Sequence, residues 1–254
     1  MTIGIAFTRA VGPRLVECET TQDGRVDVAK AIAQHAAYER ALTEAGLEVR
    51  RLPALADYPD AVFVEDTALL LGEHAVILRP GAASRAGEIE STAEGLATAF
   101  TVHRLDAGHV DGGDVLRIGR TLHLGLSSRT DHAGLDALAR IVAPLGFEII
   151  PVPVAGGLHL KSAATWVAGL LVHNPDWVSA SHFTGVELLA VAPAEAYGGN
   201  VLLAGDTLLA AADSPNTAEL LSRRGFDVVS LDISEMRKAD AALTCMSLIS
   251  DRPA

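Results

Sequence analysis

The feature that most restricts the fold is a recurring order of elements: strand, tight turn, strand, helix, strand. The first clear copy reads as an apolar strand from Ala61 to Leu71, a turn at Gly72–Glu73 and a return strand from Ala75 to Leu78. A helix is expected from Ser84, a hydroxyl residue suited to an N-cap, to Phe100, followed by a strand over Thr101–Leu105. The second copy repeats the order: strand Val115–Ile118, turn Gly119–Arg120, strand Leu122–Leu126, helix from Asp131 to Gly146, strand Phe147–Val152. Asp before a helix accepts hydrogen bonds from its first unpaired N–H groups, and Gly after it adopts the left-handed closing conformation at no steric cost. A later copy turns at Gly205–Asp206, carries a helix after Ser214 with Pro215 in its first turn and Gly225 at its end, and finishes in strand Phe226–Leu231.

The turns at Gly72 and Gly119 lie 47 residues apart, and those at Gly119 and Gly205 lie 86 apart. The second gap is about twice a ~45-residue period, so a further copy belongs between them. Ala168–Gly169, between Thr165–Val167 and Leu170–Val172, is the candidate for its turn. A fifth unit would join a last strand, Ala242–Ile249, to an N-terminal strand, Ile3–Phe7, and continue through a helix over Val26–Ala45, closed by Gly46, into strand Leu47–Leu52. A ring closed by both termini hides the edge strands that an open sheet exposes. The expectation is an α/β chain folded as one ring of five units, with a doubly wound open sheet as the alternative that any alternating α/β pattern allows. No low-complexity tract or Pro/Gly/Ser linker divides the chain, so residues 1–254 read as a single domain.

Composition narrows the function classes. Hydrophobic residues make up 49% of the chain and charged residues 20%, a balance that supports a sizeable core. The formal net charge of -12 and the lack of a basic run exclude phosphate-driven nucleic-acid binding and suit a cationic small molecule. The N-terminus lacks a basic flank followed by an apolar run, and no stretch reaches the ~20 apolar residues of a membrane span. Cys18 and Cys245 are the only cysteines, too few for a disulfide framework, so two reduced thiols and a cytoplasmic location are expected. No phosphate-binding Gly-rich loop, His-Glu-x-x-His, Cys-x-x-Cys or Gly-x-Ser-x-Gly is present, which argues against a nucleotide, a metal or a serine nucleophile.

Several residues could carry chemistry. Cys245, in Leu-Thr-Cys-Met-Ser-Leu, is either a small buried hydrophobe or a nucleophile that needs a base or cation beside it. His159, in Gly-Gly-Leu-His-Leu-Lys-Ser, follows two glycines that let the backbone approach a neighbour closely before a strand. It is either a core imidazole or an acid/base group at neutral pH. Glu65 and Asp66 end the apolar strand of the first copy, and Asp111-Gly112-Gly113-Asp114 opens the second. A surface turn would account for the latter. Yet the two acid pairs occupy equivalent places in successive copies, and in a ring those places converge on the axis. Carboxylates there suit a planar guanidinium, which pairs through parallel hydrogen bonds. Arg85 and Arg129 fall at matched positions near helix starts, as solvated surface charges or as grips for a carboxylate.

Taken together, Phe63-Val64-Glu65-Asp66, Arg79-Pro80-Gly81-Ala82 with Ser84-Arg85, Asp111-Gly112-Gly113-Asp114-Val115-Leu116, Gly125-Leu126-Ser127 with Arg129-Thr130, Gly157-Leu158-His159-Leu160-Lys161-Ser162 and Thr244-Cys245-Met246-Ser247 resemble the dimethylarginine dimethylaminohydrolases. These belong to the guanidine-modifying, or pentein, superfamily. The resemblance spans most of the chain. It implies a five-bladed α/β propeller of ββαβ units, in agreement with the period. It further implies hydrolysis of N-ω-methylated arginine (asymmetric dimethylarginine or monomethylarginine) to citrulline and dimethylamine or methylamine, with no metal and no cofactor.

In that scheme Cys245 is the nucleophile, forming a covalent thiouronium intermediate; His159 is general acid and then base; and Asp111 orients His159. Glu65 and Asp66 hold the guanidinium with Asp60 in support, and Arg85 and Arg129 hold the α-carboxylate. Asn200 is assigned only a structural role. Arginine deiminases and amidinotransferases of the superfamily carry an acid two residues after the catalytic His, where this chain has Lys161. The missing acid fits a substituted guanidine nitrogen, and it also fits an N-hydroxyarginine hydrolase. A non-catalytic guanidine-binding protein on the same fold is a further alternative, against which the joint presence of Cys245, His159 and Asp111 argues. The expected partner is a small guanidine, with no nucleic acid and no membrane; a homo-oligomer is left open. One departure concerns the loop after the first strand, which in the family often covers the substrate with an apolar residue. Here residues 16–24 are polar and acidic, and Cys18 within them is either incidental or a redox-sensitive part of a lid.

Overall fold

The structure, a computed structural model, describes residues 4–250. It contains five three-stranded sheets, each built by one rule. The middle strand pairs antiparallel with the strand on one side and parallel with the strand on the other. In the first blade β1 (Gly4–Arg9) lies between β15 (Leu248–Ser250) and β2 (Leu47–Leu52). The second holds β3 (Ala68–Leu71), β4 (His74–Ile77) and β5 (Thr101–Arg104). The third holds β6 (Val115–Ile118), β7 (Thr121–Leu126) and β8 (Glu148–Pro153). The fourth holds β9 (Ala164–Val167), β10 (Leu170–His173) and β11 (Glu187–Ala190), and the fifth β12 (Leu202–Ala204), β13 (Thr207–Ala211) and β14 (Asp227–Leu231).

A parallel pair needs a crossover, and helices supply it in four blades: α1 (Val28–Glu44), α2 (Glu88–Leu96), α3 (His132–Val142) and α5 (Pro215–Arg223). In the fourth blade residues 174–186 make the crossover with a single 3-10 turn, Ala180–His182. Two further α-helices, α4 (Leu160–Ala163) and α6 (Ser234–Arg237), are short. Successive blades touch at their inner strands, β15 beside β3, β6 beside β9 and β9 beside β12, while α1 packs on β14. The molecule is a five-bladed α/β propeller of ββαβ units whose first blade takes strands from both ends of the chain.

Helix α1 shows why the pattern folds this way. Asp27 accepts a hydrogen bond from Lys30 N at 3.1 Å, so one orphan donor of the first turn is satisfied. Ala31, His35, Tyr38 and Leu42, spaced by four, three and four residues, form a buried stripe. Tyr38 and Leu42 join Met236, Leu243 and Met246 in one core cluster, and the Tyr38 hydroxyl finds Ser247 Oγ at 2.7 Å. No helix among the described residues is long and apolar enough to cross a membrane.

The hairpin turns at Gly72, Gly119, Ala168–Gly169 and Gly205 all lie where the period puts them. Other boundaries differ. The strand expected over Ala61–Leu71 begins only at Ala68, because Val64–Thr67 form a 3-10 turn in which Thr67 Oγ1 donates to Val64 O at 2.7 Å. The helix expected from Ser84 starts at Glu88 after a separate turn over Ala83–Arg85, and Gly87, not Ser84, precedes it. His159 caps α4 rather than preceding a strand. The last strand is confined to Leu248–Ser250, since Thr244–Met246 turn as a 3-10 segment. Ile3, placed in the first strand, lies outside the described residues.

Candidate active site

The acids of the second blade sit in the turn that leads into β3. Phe63 N donates to Asp60 O at 2.9 Å, and the tight turn swings Glu65 and Asp66 inward together. Asp66 accepts from Arg85 Nη1 at 2.5 Å through Oδ2 and from Gly113 N at 2.9 Å through Oδ1. Arg85 is buried as well. Its Nε faces both oxygens of Glu88 at 3.1 and 3.2 Å, and its Nη2 donates to Phe63 O, Asp60 O and Glu88. Burial works against the Arg85 charge, but Glu88 and Asp66 raise its pKa well above the ordinary value. Most donors of Arg85 are therefore committed within the protein. Nη1, with one contact and a second hydrogen, is its remaining route to a ligand.

The third blade supplies the partners of His159. Its Nε2 lies 3.1 Å from Asp111 Oδ2 and its Nδ1 4.0 Å from Asp66 Oδ1. Asp111 is held by Gly81 N at 2.7 Å and by its own N–H on Thr130 Oγ1 at 3.1 Å. Gly113 is required here, because a Cβ on it would come within 2.5 Å of His159 Nδ1. Burial lowers the pKa of His159, but the charge of Asp66, the hydrogen bond with Asp111 and the charge of Asp114 outweigh it and carry the imidazole to about 9. The ring is an imidazolium at neutral pH, with a carboxylate near each nitrogen. Asp66, Asp111 and His159 offer ligand atoms within 4.8 Å of one another, a spacing that would also suit a cation. The proton on the ring meets the same charge requirement.

Cys245 lies in the 3-10 turn before β15, where its Sγ accepts from Ala242 N at 3.4 Å. Burial first, and then the charges of Glu65 and Asp66, push the thiol up to about 12, against the opposing pull of Ala242 N–H and Lys161. Its neighbour Thr244 donates from Oγ1 to Glu65 Oε2 at 2.9 Å. Asn200 Nδ2 donates to that same Oγ1 at 3.0 Å and to Lys161 O at 2.8 Å, and Asn200 Oδ1 accepts from Thr244 N at 3.3 Å. Lys161 Nζ pairs with Glu65 Oε1 at 2.5 Å. Asn200, read as structural, thus ties the 3-10 turn carrying the nucleophile candidate to the segment after His159.

These elements meet in a narrow cleft of about 30 Å³. Asp60, Asp66, Arg85, Asp111, Arg129, His159 and Cys245 all line it. Glu65 does not: it sits behind, on the wall of a separate cavity of about 470 Å³ that it shares with Lys161 and Thr244. The larger cavity is walled mainly by apolar strand residues such as Leu69, Leu70, Trp166 and Leu203, and neither Cys245 nor His159 reaches it. Cys245 and His159 both line the smaller one. Asp60 accepts from Glu19 N at 3.3 Å, and burial raises its pKa although Arg85 opposes this. Arg129 Nη2 lies 3.0 Å from Glu19 Oε2. Glu19 and Asp240 of the cleft wall, and Glu88, Asp114 and Thr244 behind it, were not assigned from the sequence. Asp114 was within reach of that reading, as the second acid of Asp-Gly-Gly-Asp. Glu19 carried only the signal of an acid in an otherwise covering loop.

No protein-family model matches the chain. Among curated proteins, the N(G),N(G)-dimethylarginine dimethylaminohydrolase of Streptomyces coelicolor is 38% identical over 96% of this chain and 95% of its own length. The enzyme of that name from Pseudomonas aeruginosa is 34% identical, covering 89% of this chain and 90% of its own. The chain belongs to the dimethylarginine dimethylaminohydrolase family. The solved structure of the Pseudomonas aeruginosa family member, a cysteine-to-serine mutant complexed with citrulline, superposes with a TM-score of 0.94 at 32% identity, over 98% of this chain and 100% of that one. The N-terminal domain of ArgZ, at 22% identity and a TM-score of 0.86, shares the fold. The five-bladed propeller of this dimethylarginine dimethylaminohydrolase family member is therefore the pentein fold that the resemblance implied, in keeping with the ring of five units expected from the repeat period.

Proposed function

We propose that the chain hydrolyses N-ω-methylated arginine, asymmetric dimethylarginine or monomethylarginine, to citrulline and dimethylamine or methylamine through a covalent intermediate on Cys245. The observation that carries this reading is the convergence of Cys245, a protonated and Asp111-braced His159, and Asp66 on one cleft in a chain 38% identical to an enzyme of that name. A similar dimethylarginine dimethylaminohydrolase has been solved as an adduct with S-methyl-L-thiocitrulline, which fits a nucleophile at this point of the fold.

The electrostatics imply an order of events. With its pKa near 12, the Cys245 thiol is protonated in the empty enzyme. A guanidinium entering beside Asp66 brings a positive charge next to the sulfur, which favours the thiolate, and the thiol proton passes to solvent. The sulfur then attacks the central carbon, giving a neutral tetrahedral adduct. His159 donates its proton to the methylated nitrogen, and the amine departs, leaving a cationic thiouronium on Cys245 and a neutral imidazole. That imidazole takes a proton from water as the oxygen attacks the same carbon. Collapse of the second adduct breaks the carbon–sulfur bond, and the hydroxyl proton returns to sulfur as citrulline forms. Asp111 keeps the ring oriented for both transfers, and Arg129, with the remaining hydrogen of Arg85 Nη1, would take the α-carboxylate.

Lys161 bears on the substrate. It neutralises Glu65, so one fewer carboxylate is free to receive guanidine N–H groups. A substituted nitrogen, which has fewer hydrogens to donate, fits that loss. The same observation favours N-hydroxyarginine as the second reading. The test is citrulline production from asymmetric dimethylarginine, arginine and N-hydroxyarginine, with Cys245→Ser as control. Citrulline from the methylated substrate alone, absent in the control, is expected. Turnover of N-hydroxyarginine alone would transfer the mechanism to that substrate, and binding without turnover of any of the three would leave a guanidine-binding protein.

A further inference from the structure

The cleft is too small for the ligand it is built to hold. About 30 Å³ accommodates roughly one water, whereas sites for organic ligands run to several hundred. The missing space is filled by the protein itself, from the segment that precedes α1. Residues 19–22 of that segment are tied down across the cleft mouth. Asp240 accepts from Thr21 N at 2.6 Å, Thr21 Oγ1 at 2.9 Å and Gln22 Nε2 at 2.6 Å. Its backbone sits at φ 55°, a conformation that a non-glycine residue adopts at a cost. Glu19 N donates to Asp60 Oδ2 at 3.3 Å, which turns the Glu19 side chain toward the helix starts of two blades. There its carboxylate takes Arg129 Nη2 at 3.0 Å and accepts from Ser84 Oγ. A carboxylate bound by Arg129 and a hydroxyl at the cleft mouth is what an α-carboxylate would look like in the same place.

We propose that Glu19 occupies the carboxylate subsite of the empty enzyme and that the α-carboxylate of the substrate displaces it. This rests on the reading of Arg129 as the anchor for that carboxylate. The exchange swaps one carboxylate for another on the same guanidinium, so Arg129 is never left without a counter-charge. It also couples recognition to opening: the group that binds Arg129 is the group that releases the segment. Arg129 and Glu19 keep 17% and 43% of their side-chain surface exposed, so the latch is weak enough for substrate to break. Its effect is to lower apparent affinity by the fraction of molecules that are closed. Glu19 thereby sets how strongly a guanidine must bind before the cleft admits it.

Two measurements test this. In the first, asymmetric dimethylarginine is titrated calorimetrically into Cys245→Ser protein, alone and combined with Glu19→Gln, Arg129→Gln or both. Glu19→Gln should tighten binding about five-fold, the equivalent of one exposed ion pair, and should have no such effect when Arg129 is already Gln. The control is Glu17→Gln, an exposed acid of the same segment paired with Arg14, which should leave the affinity unchanged. In the second, the rate of Cys245 alkylation by iodoacetamide is followed without ligand in Cys18→Ser protein, and Glu19→Gln should raise it by a similar factor. Unchanged or weaker binding in Glu19→Gln, or unchanged alkylation, would overturn the latch and leave the proposed hydrolase intact. Failure of every variant to bind the methylarginine would overturn the function and the latch together.

Discussion

Asp66 and Asp114 stand one period apart and perform the same structural task with different partners. Each uses Oδ1 to accept from a backbone N–H of the following blade at 2.9 Å: Asp66 from Gly113, Asp114 from Leu160. Each carboxylate thus fastens its own blade to the next. The second oxygen differs. Asp66 Oδ2 takes Arg85 Nη1 at 2.5 Å, whereas Asp114 Oδ2 takes Ser127 Oγ at 2.6 Å and Thr130 Oγ1 at 2.7 Å. Burial acts on both. For Asp66 the charges of His159 and Arg85 outweigh it and the pKa falls, while for Asp114 burial prevails over His159 and the hydroxyls and the pKa rises. A repeat dictates where a side chain is put. The partner it meets decides what charge it can carry there.

The sharpest way to break the comparison is to remove each charge in turn. Asp66→Asn leaves Glu88 as the remaining ion-pair partner of Arg85 and takes away the largest charge that raises His159. Breaking a buried pair on one side should cost about 4 kcal/mol in urea denaturation, and the imidazole pKa, followed by NMR, should fall from about 9. His159 itself supplies the next largest effect. Its folded pKa of about 9 lies above the ordinary 6.5, so its stabilisation is complete below pH 6.5 and is lost as pH rises toward 9. Relative to a His159→Asn variant, the protein should lose roughly 3 kcal/mol across that window. In an Asp66→Asn background the window should shrink from its upper end; an unaltered window would show that Asp66 does not hold the proton.

Asp114→Asn should cost less, about 1–2 kcal/mol. The amide oxygen can still accept from Leu160 N, and its NH₂ can donate to Ser127 or Thr130 once those hydroxyls turn. Equal losses at the two positions would erase the distinction between a charged and a hydroxyl partner.

The same contrast marks what could be read from the chain. Turns and helix caps are local: Gly119, Gly205 and Asp131 lie at the structural positions that their chemistry favours. The grouping of side chains was legible by type, since Cys245, His159, Asp111, Asp60, Asp66, Arg85 and Arg129 line one cleft. Pairing was not legible. Nothing in the sequence near Arg85 says that Asp66 and Glu88 will both reach it, because that depends on how far each turn rotates its side chain. Ala61–Val64 misled for a related reason: four consecutive buried apolar residues look like a strand, yet here they lead through a turn into the 3-10 segment Val64–Thr67. Glu65 was read as a guanidinium ligand, and the distant Lys161 and Thr244 instead hold it behind the cleft.

The smallest expected effect concerns a turn that departs from its sisters. Three hairpins carry Gly at their first turn residue with φ between 58° and 61°, namely Gly72, Gly119 and Gly205, and no positive φ at the second. The fourth has Ala168 at φ 47° and Gly169 at φ 93°. Two positive values in a two-residue loop are the pattern that favours Asn-Gly, whereas a single positive first residue favours Gly followed by any residue. Ala168 therefore carries backbone strain that its sisters avoid. Ala168→Asn should stabilise the protein by about 0.5–1 kcal/mol, seen as a rise in Tm of about 1–4 °C. The reciprocal change, Gly72→Ala, puts a Cβ where nothing lies within 4 Å, so any loss it causes comes from φ alone. If Gly72→Ala destabilises by about 1 kcal/mol while Ala168→Asn stabilises, backbone conformation sets the cost at both turns. If Gly72→Ala is neutral, the glycines in these turns do not owe their place to φ, and the fourth blade is no exception to explain.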